Sequence, residues 1–110
     1  MSVIIEFAMF PTDKGESVSQ QVSRVIDMIR QQPFHYQLTA MGTIIETEEL
    51  SQALAIVQKA HDILAEDSNR IYASIKLDIR KDQVNRMEQK IQSIVSKIGS
   101  VNTDKQDNMQ

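Results

Sequence analysis

Arg70-Ile71-Tyr72-Ala73-Ser74-Ile75-Lys76-Leu77-Asp78-Ile79-Arg80-Lys81 alternates cleanly between apolar and polar side chains. Successive side chains of a β-strand point to opposite faces, so a period of two marks a strand with one face on a core. Here Ile71, Ala73, Ile75, Leu77 and Ile79 form the core face, while Tyr72, Ser74, Lys76, Asp78 and Arg80 form a polar one. A one-sided strand of this length belongs to an antiparallel sheet. Its polar face must be solvated, covered or used.

Outward from it, the chain changes period. Beyond the strand, Asp82 can cap a helix that carries Val84, Met87, Ile91, Ile94 and Ile98 on one side, and Gly99 ends it. Residues 100–110 are polar and predict a disordered tail beyond a domain of residues 1–99. Before the strand, Asp67-Ser68-Asn69 is a turn, and Leu50, Ala53, Leu54, Val57, His61 and Leu64 share a helical face behind Glu48 and Glu49. Tyr36 to Met41 and Thr43 to Thr47 flank Gly42 and make either a hairpin or one bent strand. Earlier still, Ser17-Val18-Ser19-Gln20 has the form of a capping box opening a helix with Val18, Val22, Val25, Ile26 and Ile29, which Pro33 stops. Thr12 to Glu16 is a loop. Val3 to Phe10, closed by Pro11, is a buried strand.

The order is βαββαβ with one more helix. Right-handed crossovers then place both internal helices on one face of a four-stranded antiparallel sheet. The expected class is α+β, a ferredoxin-like sandwich with an extra C-terminal helix.

Composition narrows the function. The chain has 110 residues and a net charge of −3, with no cluster of Lys and Arg, so neither nucleic acid nor a membrane is an expected partner. It has no cysteine, which excludes disulfides, thiolate catalysis and Cys-zinc sites. Met1-Ser2-Val3-Ile4-Ile5-Glu6 lacks a basic n-region, and no apolar run approaches the ~20 residues of a membrane span; the cytoplasm is the expected location. His35 and His61 lack metal-ligand spacing; His61 reads as a packed histidine and His35 as an exposed one. Gly15, Gly42 and Gly99 lie too far apart for a phosphate loop. Met9, Met28, Met41 and Met87 read as core filling rather than a soft metal site.

The polar sheet face carries the remaining signal. Lys76, Asp78 and Arg80 project to one side about 7 Å apart, given ~3.3 Å per residue. Glu6, Glu46 and Tyr72 are expected to share that side. Carboxylates, amines and an aromatic together suit either a small polar ligand pocket or a polar interface between subunits. A third possibility is a cofactor-independent monooxygenase or isomerase, with Tyr72 as base beside Lys76.

A resemblance then becomes specific. Phe10-Pro11-Thr12 leading into Ser17-Val18-Ser19, the stretch from Tyr36 to Glu46, Ala60-His61, and Ala73 to Asp82 resemble the thiamine-binding protein family in order and spacing. That family was long catalogued as uncharacterised and is distantly similar to the YkoF-type binders of thiamine and hydroxymethylpyrimidine. This chain departs from its usual pattern at Thr47, at Ile79 and in the loop of residues 13–16. The resemblance implies a ferredoxin-like fold, dimers that pair into tetramers, and binding of thiamine or a related pyrimidine without catalysis or a resident cofactor. Glu46 and Asp78 are then the carboxylates for the exocyclic amine and the cationic ring. Tyr72, Phe10 and Phe7 are the stacking candidates, and Lys76 and Arg80 orient the carboxylates, bridge subunits or meet a phosphate ester. Thr43, in the Met41-Gly42-Thr43-x-x-Glu46 piece, joins the ligand-binding set through the resemblance.

Overall fold

The structure, a computed structural model, describes residues 1–15 and 18–103. The elements run β1 (Ser2–Pro11), α1 (Ser19–Arg30), β2 (His35–Thr39), β3 (Gly42–Thr47), α2 (Leu50–Ala65), β4 (Ile71–Arg80) and α3 (Arg86–Ile98). The sheet order is β2-β3-β1-β4, and every pairing is antiparallel. This is the ferredoxin-like α+β arrangement that the alternation of periods predicts.

Register fixes the faces. Val3, Ile5 and Phe7 of β1 stand opposite Ile79, Leu77 and Ile75 of β4, and opposite Thr47, Ile45 and Thr43 of β3. This row faces the helices. Val3, Ile5, Phe7, Met9 and Ile45 pack with Val25 and Ile29 of α1 and with Ala53, Ile56, Ala60 and Leu64 of α2 in one core. The other face carries Ser2, Ile4, Glu6, Ala8 and Phe10, flanked by Glu46 and Ile44 on one side and by Arg80, Asp78, Lys76, Ser74 and Tyr72 on the other.

The segment around Gly42 is a hairpin with Ala40 and Met41 at its tip. The Thr39 hydroxyl accepts the Met41 and Gly42 N–H and donates to the Gly42 carbonyl. Gly42 is small for a reason: a Cβ there would lie 3.1 Å from the Phe7 carbonyl oxygen of the neighbouring strand. Met41 sits at the tip and is 86% exposed, so it is not the core methionine its neighbours suggest.

Two helix faces differ from expectation. In α2 the buried line is Ala53, Ile56, Ala60 and Leu64, while Leu54 and His61 are exposed. Apolar residues surround most of this helix, so periodicity alone leaves its face open. Burying the small Ala53 and Ala60 lets the helix approach the sheet closely. His61 is a surface residue beside Asp62, with Nδ1 3.1 Å from a carboxylate oxygen. In α1 the first helical residue is Ser19 with Val18 at the cap position and no side-chain cap; Ser17 of the proposed box lies outside the described residues.

The last helix also begins later than an Asp82 cap requires. Asp82 instead receives both Arg80 Nε and Nη2, at 3.3 and 3.2 Å. The chain turns through Asn85 in the left-handed region, φ 55°, and α3 starts at Arg86. Gly99, φ 90°, ends it as expected. Residues 100–103 form neither helix nor strand, and the rest of the expected tail lies outside the described residues. Among the described residues no helix is long and apolar enough to cross a membrane.

Candidate functional site

The helix N-terminus of α3 seats on the open sheet face through one carboxylate. Helix N-termini leave N–H groups without intrahelical partners, and they carry positive potential. Glu46 of β3 supplies what Asp82 does not: its Oε2 accepts the Arg86 N–H at 2.8 Å and its Oε1 accepts the Met87 N–H at 3.0 Å. The Ser2 hydroxyl also donates to Oε2, at 2.5 Å. Burial pushes the Glu46 pKa up. The Ser2 hydroxyl, the two backbone N–H groups and the Arg86 charge outweigh it and hold the pKa below the ordinary 4.5.

Arg86 completes the seat. A cation in the first turn of a helix opposes the macrodipole, so its presence there needs a reason. Its side chain folds back across the sheet: Nε donates to the Ser2 hydroxyl at 3.0 Å, and Nη2 donates to the carbonyls of Ser2 and Asp78 at 3.0 and 2.6 Å. Nη1 lies 3.0 Å from Asp78 Oδ2. Only about a tenth of the guanidinium side chain is exposed, against 71% for Asp78. Every donor it directs at the sheet thus meets an acceptor, which is the condition for burying an arginine.

Beyond Met87 the helix lifts away from the sheet, and its Ile94, Val95 and Ile98 stay exposed. The gap is a cleft of about 620 Å³. Ile4, Ile44, Met87 and Ile91 give it apolar walls, and Asp78, Arg80, Arg86 and Lys90 ring it with charge. The volume falls in the range of small-molecule sites, about 300–1,000 Å³.

The residues singled out from the sequence are divided among four places. Asp78 lines this cleft, and Glu46 holds the helix that forms its roof. Lys76 lies further along the open face, 3.9 Å from Glu6. Tyr72 is further still, its ring 5.7 Å from that of Phe10 and tilted by 49°. Tyr72 and Asp78 are six positions apart, about 20 Å along a strand. Within one chain these groups share a face but not a pocket. Thr43 is on the opposite, helix-covered face, 4% exposed. There it lines, with Phe7, Phe10, Val22 and Leu38, a second and more apolar cleft of about 260 Å³ under the hairpin. Arg86, Ser2 and Lys90 escaped the sequence reading. The one available signal was Arg86 itself, a cation at the start of a helix. Among the described residues no cluster of His, Asp and Glu could hold a metal ion.

Comparison with known proteins agrees with this architecture. A family model described as thiamine-binding protein matches residues 5–95. The UPF0045 protein MJ1052 of Methanocaldococcus jannaschii is 34% identical over 92 residues, covering 84% of this chain and 91% of that one. The UPF0045 protein Mb1933 of Mycobacterium bovis is 33% identical over 94 residues, covering 86% and 92%. The crystal structure of MJ1052 superposes with a TM-score of 0.75, over 84% of this chain and 95% of that one. A candidate thiamine biosynthesis or salvage protein of Thermotoga maritima, TM0486, has the same fold at 16% identity, with a TM-score of 0.73 over 86% and 99%.

Proposed function

Since the chain belongs to the thiamine-binding protein family, we propose that it binds thiamine, or the hydroxymethylpyrimidine part of it, in the cleft beneath α3 and without catalysis. The observation that carries this reading is the pairing of an apolar slot with an open carboxylate oxygen. Ile4, Ile44, Met87 and Ile91 offer surface for a flat ring, and Asp78 keeps Oδ1 clear of the Arg86 contact made by Oδ2. A carboxylate oxygen is a good acceptor for the exocyclic amine of an aminopyrimidine. Glu46 serves the site as a positioning residue, by holding the helix that roofs it.

The rival reading, with Tyr72 as a catalytic base, has less support. Tyr72 is 56% exposed beside Phe10 and lines neither cleft. A base that works by proton abstraction needs a pocket in which substrate is held against it.

The binding form is a homo-oligomer, a dimer or a tetramer of paired dimers. β4 is an edge strand, and its apolar row Ile75, Leu77 and Ile79 is 43%, 42% and 44% exposed. A long apolar edge invites pairing with another strand. Two β4 strands paired antiparallel about a two-fold axis would bury that row. The reversal of direction would also set the aromatic end of one open face beside the polar end of the other, which a single chain keeps apart.

Thermal unfolding in the presence of thiamine and of hydroxymethylpyrimidine tests the ligand. A compound that binds only the native state stabilises it by about 2.7 kcal/mol at 100 times its Kd. No shift at millimolar concentration with either compound or with the phosphate ester of either ends the reading. Light scattering at micromolar concentration tests the assembly, and a monomer mass ends that part.

A further inference from the structure

We propose that the ligand carried in the cleft beneath α3 is a phosphate ester of thiamine or of its pyrimidine part, rather than the free cation. This rests on the binding role above and specifies the charge of the ligand.

The carboxylates at and beside the cleft are already engaged. Glu46 accepts at both oxygens from the start of α3 and from Ser2. Asp82 accepts at both oxygens from Arg80. Asp78 has one oxygen on Arg86 and one remaining. The unused groups are donors. The Lys90 ammonium, on the wall formed by α3, makes no hydrogen bond or ion pair among the described residues, and it offers three N–H donors. Arg80 engages Asp82 through Nε and Nη2, which leaves Nη1. Gln37, Gln83 and Gln89 add side-chain amides to the same lining.

A cationic thiazolium in this cleft meets Arg80, Arg86 and Lys90; Glu46 and Asp82 keep their charge but have both oxygens engaged, which leaves Asp78 Oδ1 as the open anionic acceptor. A phosphate monoester brings about −1.5 to −2 charges and three strong acceptors, which match the unused donors. The apolar wall then holds the ring, and Asp78 Oδ1 takes its amine.

Titration calorimetry on the intact protein with thiamine, thiamine monophosphate, hydroxymethylpyrimidine phosphate and inorganic phosphate decides the matter. The monophosphate is expected to bind at least about tenfold more tightly than thiamine, and to weaken as salt rises. Lys90→Gln is expected to shrink that preference about tenfold, and Lys90→Arg to restore most of it. Thiamine binding as tightly as its monophosphate would overturn the proposal while leaving the binding role intact. So would a Lys90→Gln loss shared equally by both compounds, or inorganic phosphate matching the esters. If none of the thiamine or pyrimidine compounds binds, the binding role falls and takes this proposal with it.

Discussion

Glu46 and Arg86, forty residues apart, are joined by a hydrogen bond of 2.8 Å from the Arg86 N–H to Glu46 Oε2. A strand carboxylate thereby caps a helix from across the sheet, and the Arg86 side chain returns to Ser2 and Asp78 on the strands beside it. The seat of α3, and with it the shape of the cleft, depends on this exchange.

Replacing that carboxylate is the direct test. Glu46→Gln keeps the shape but offers one acceptor oxygen where two N–H groups need one each, and its amide N–H₂ faces a donor. A loss of about 1–3 kcal/mol is expected, concentrated in α3. Amide hydrogen exchange at Arg86 and Met87 should speed up far more than exchange in β1. Unchanged exchange at both amides would mean that something else holds the helix.

Acid should act through the same group. Its pKa is lowered on folding from an ordinary 4.5, so the unfolded chain takes up the proton first as pH falls. The stabilisation is therefore complete above about pH 4.5 and is lost as pH drops through the lowered folded value. Asp13, Asp62 and Asp82 are exposed carboxylates lowered in the same direction, so total acid sensitivity does not isolate Glu46. The difference between the parent and Glu46→Gln does. Denaturation midpoints followed from pH 6 to 3 should converge at the acid end.

Gly42→Ala should be costly despite the small change. The added Cβ meets the Phe7 carbonyl oxygen at 3.1 Å, a backbone atom of a central strand that cannot swing aside. Overpacking of this kind costs about 1–3 kcal/mol. Urea unfolding checks it; a loss under 0.5 kcal/mol would show that β1 and β3 separate easily.

Leu77→Glu puts a charge in the middle of the exposed apolar row of β4. Because Leu77 is 42% exposed in the single chain, the fold should survive with little change in circular dichroism. If two β4 edges pair, the substitution places like charges at their centre and should yield monomers by light scattering. An unchanged assembly would put the subunit interface on another surface.

His61→Ala should be nearly silent. The side chain is about half exposed, and its one hydrogen-bond partner among the described residues is its neighbour Asp62. A change within about 0.5 kcal/mol is expected in thermal unfolding, whereas a packed histidine would lose several times that.

The strand of residues 71–80 was legible because alternation with a period of two has one geometric meaning. The face of α2 was not, because Leu54, Ile56, Val57 and Ile63 spread apolar surface over most of the helix. The placement of Lys76, Asp78 and Tyr72 on one face followed from the same alternation. Their spacing followed from the strand rise too, about 20 Å from Tyr72 to Asp78, but which side chains of other elements stand beside each of them did not, since no period within one strand reports its neighbours.

By itself the sequence determined the kinds of element, their order and which side chains of β4 share a face, since backbone geometry makes those periods local properties; that the Ile75, Leu77 and Ile79 row forms core was not borne out. Tertiary structure alone decided that Glu46 caps α3 and that Arg86 lies buried across Ser2 and Asp78. It also decided that Ile75, Leu77 and Ile79 remain half open at the sheet edge. Those outcomes depend on strand register and on how far two helices reach across a four-stranded sheet. Both are set by partners up to 84 positions apart, where no local period carries information.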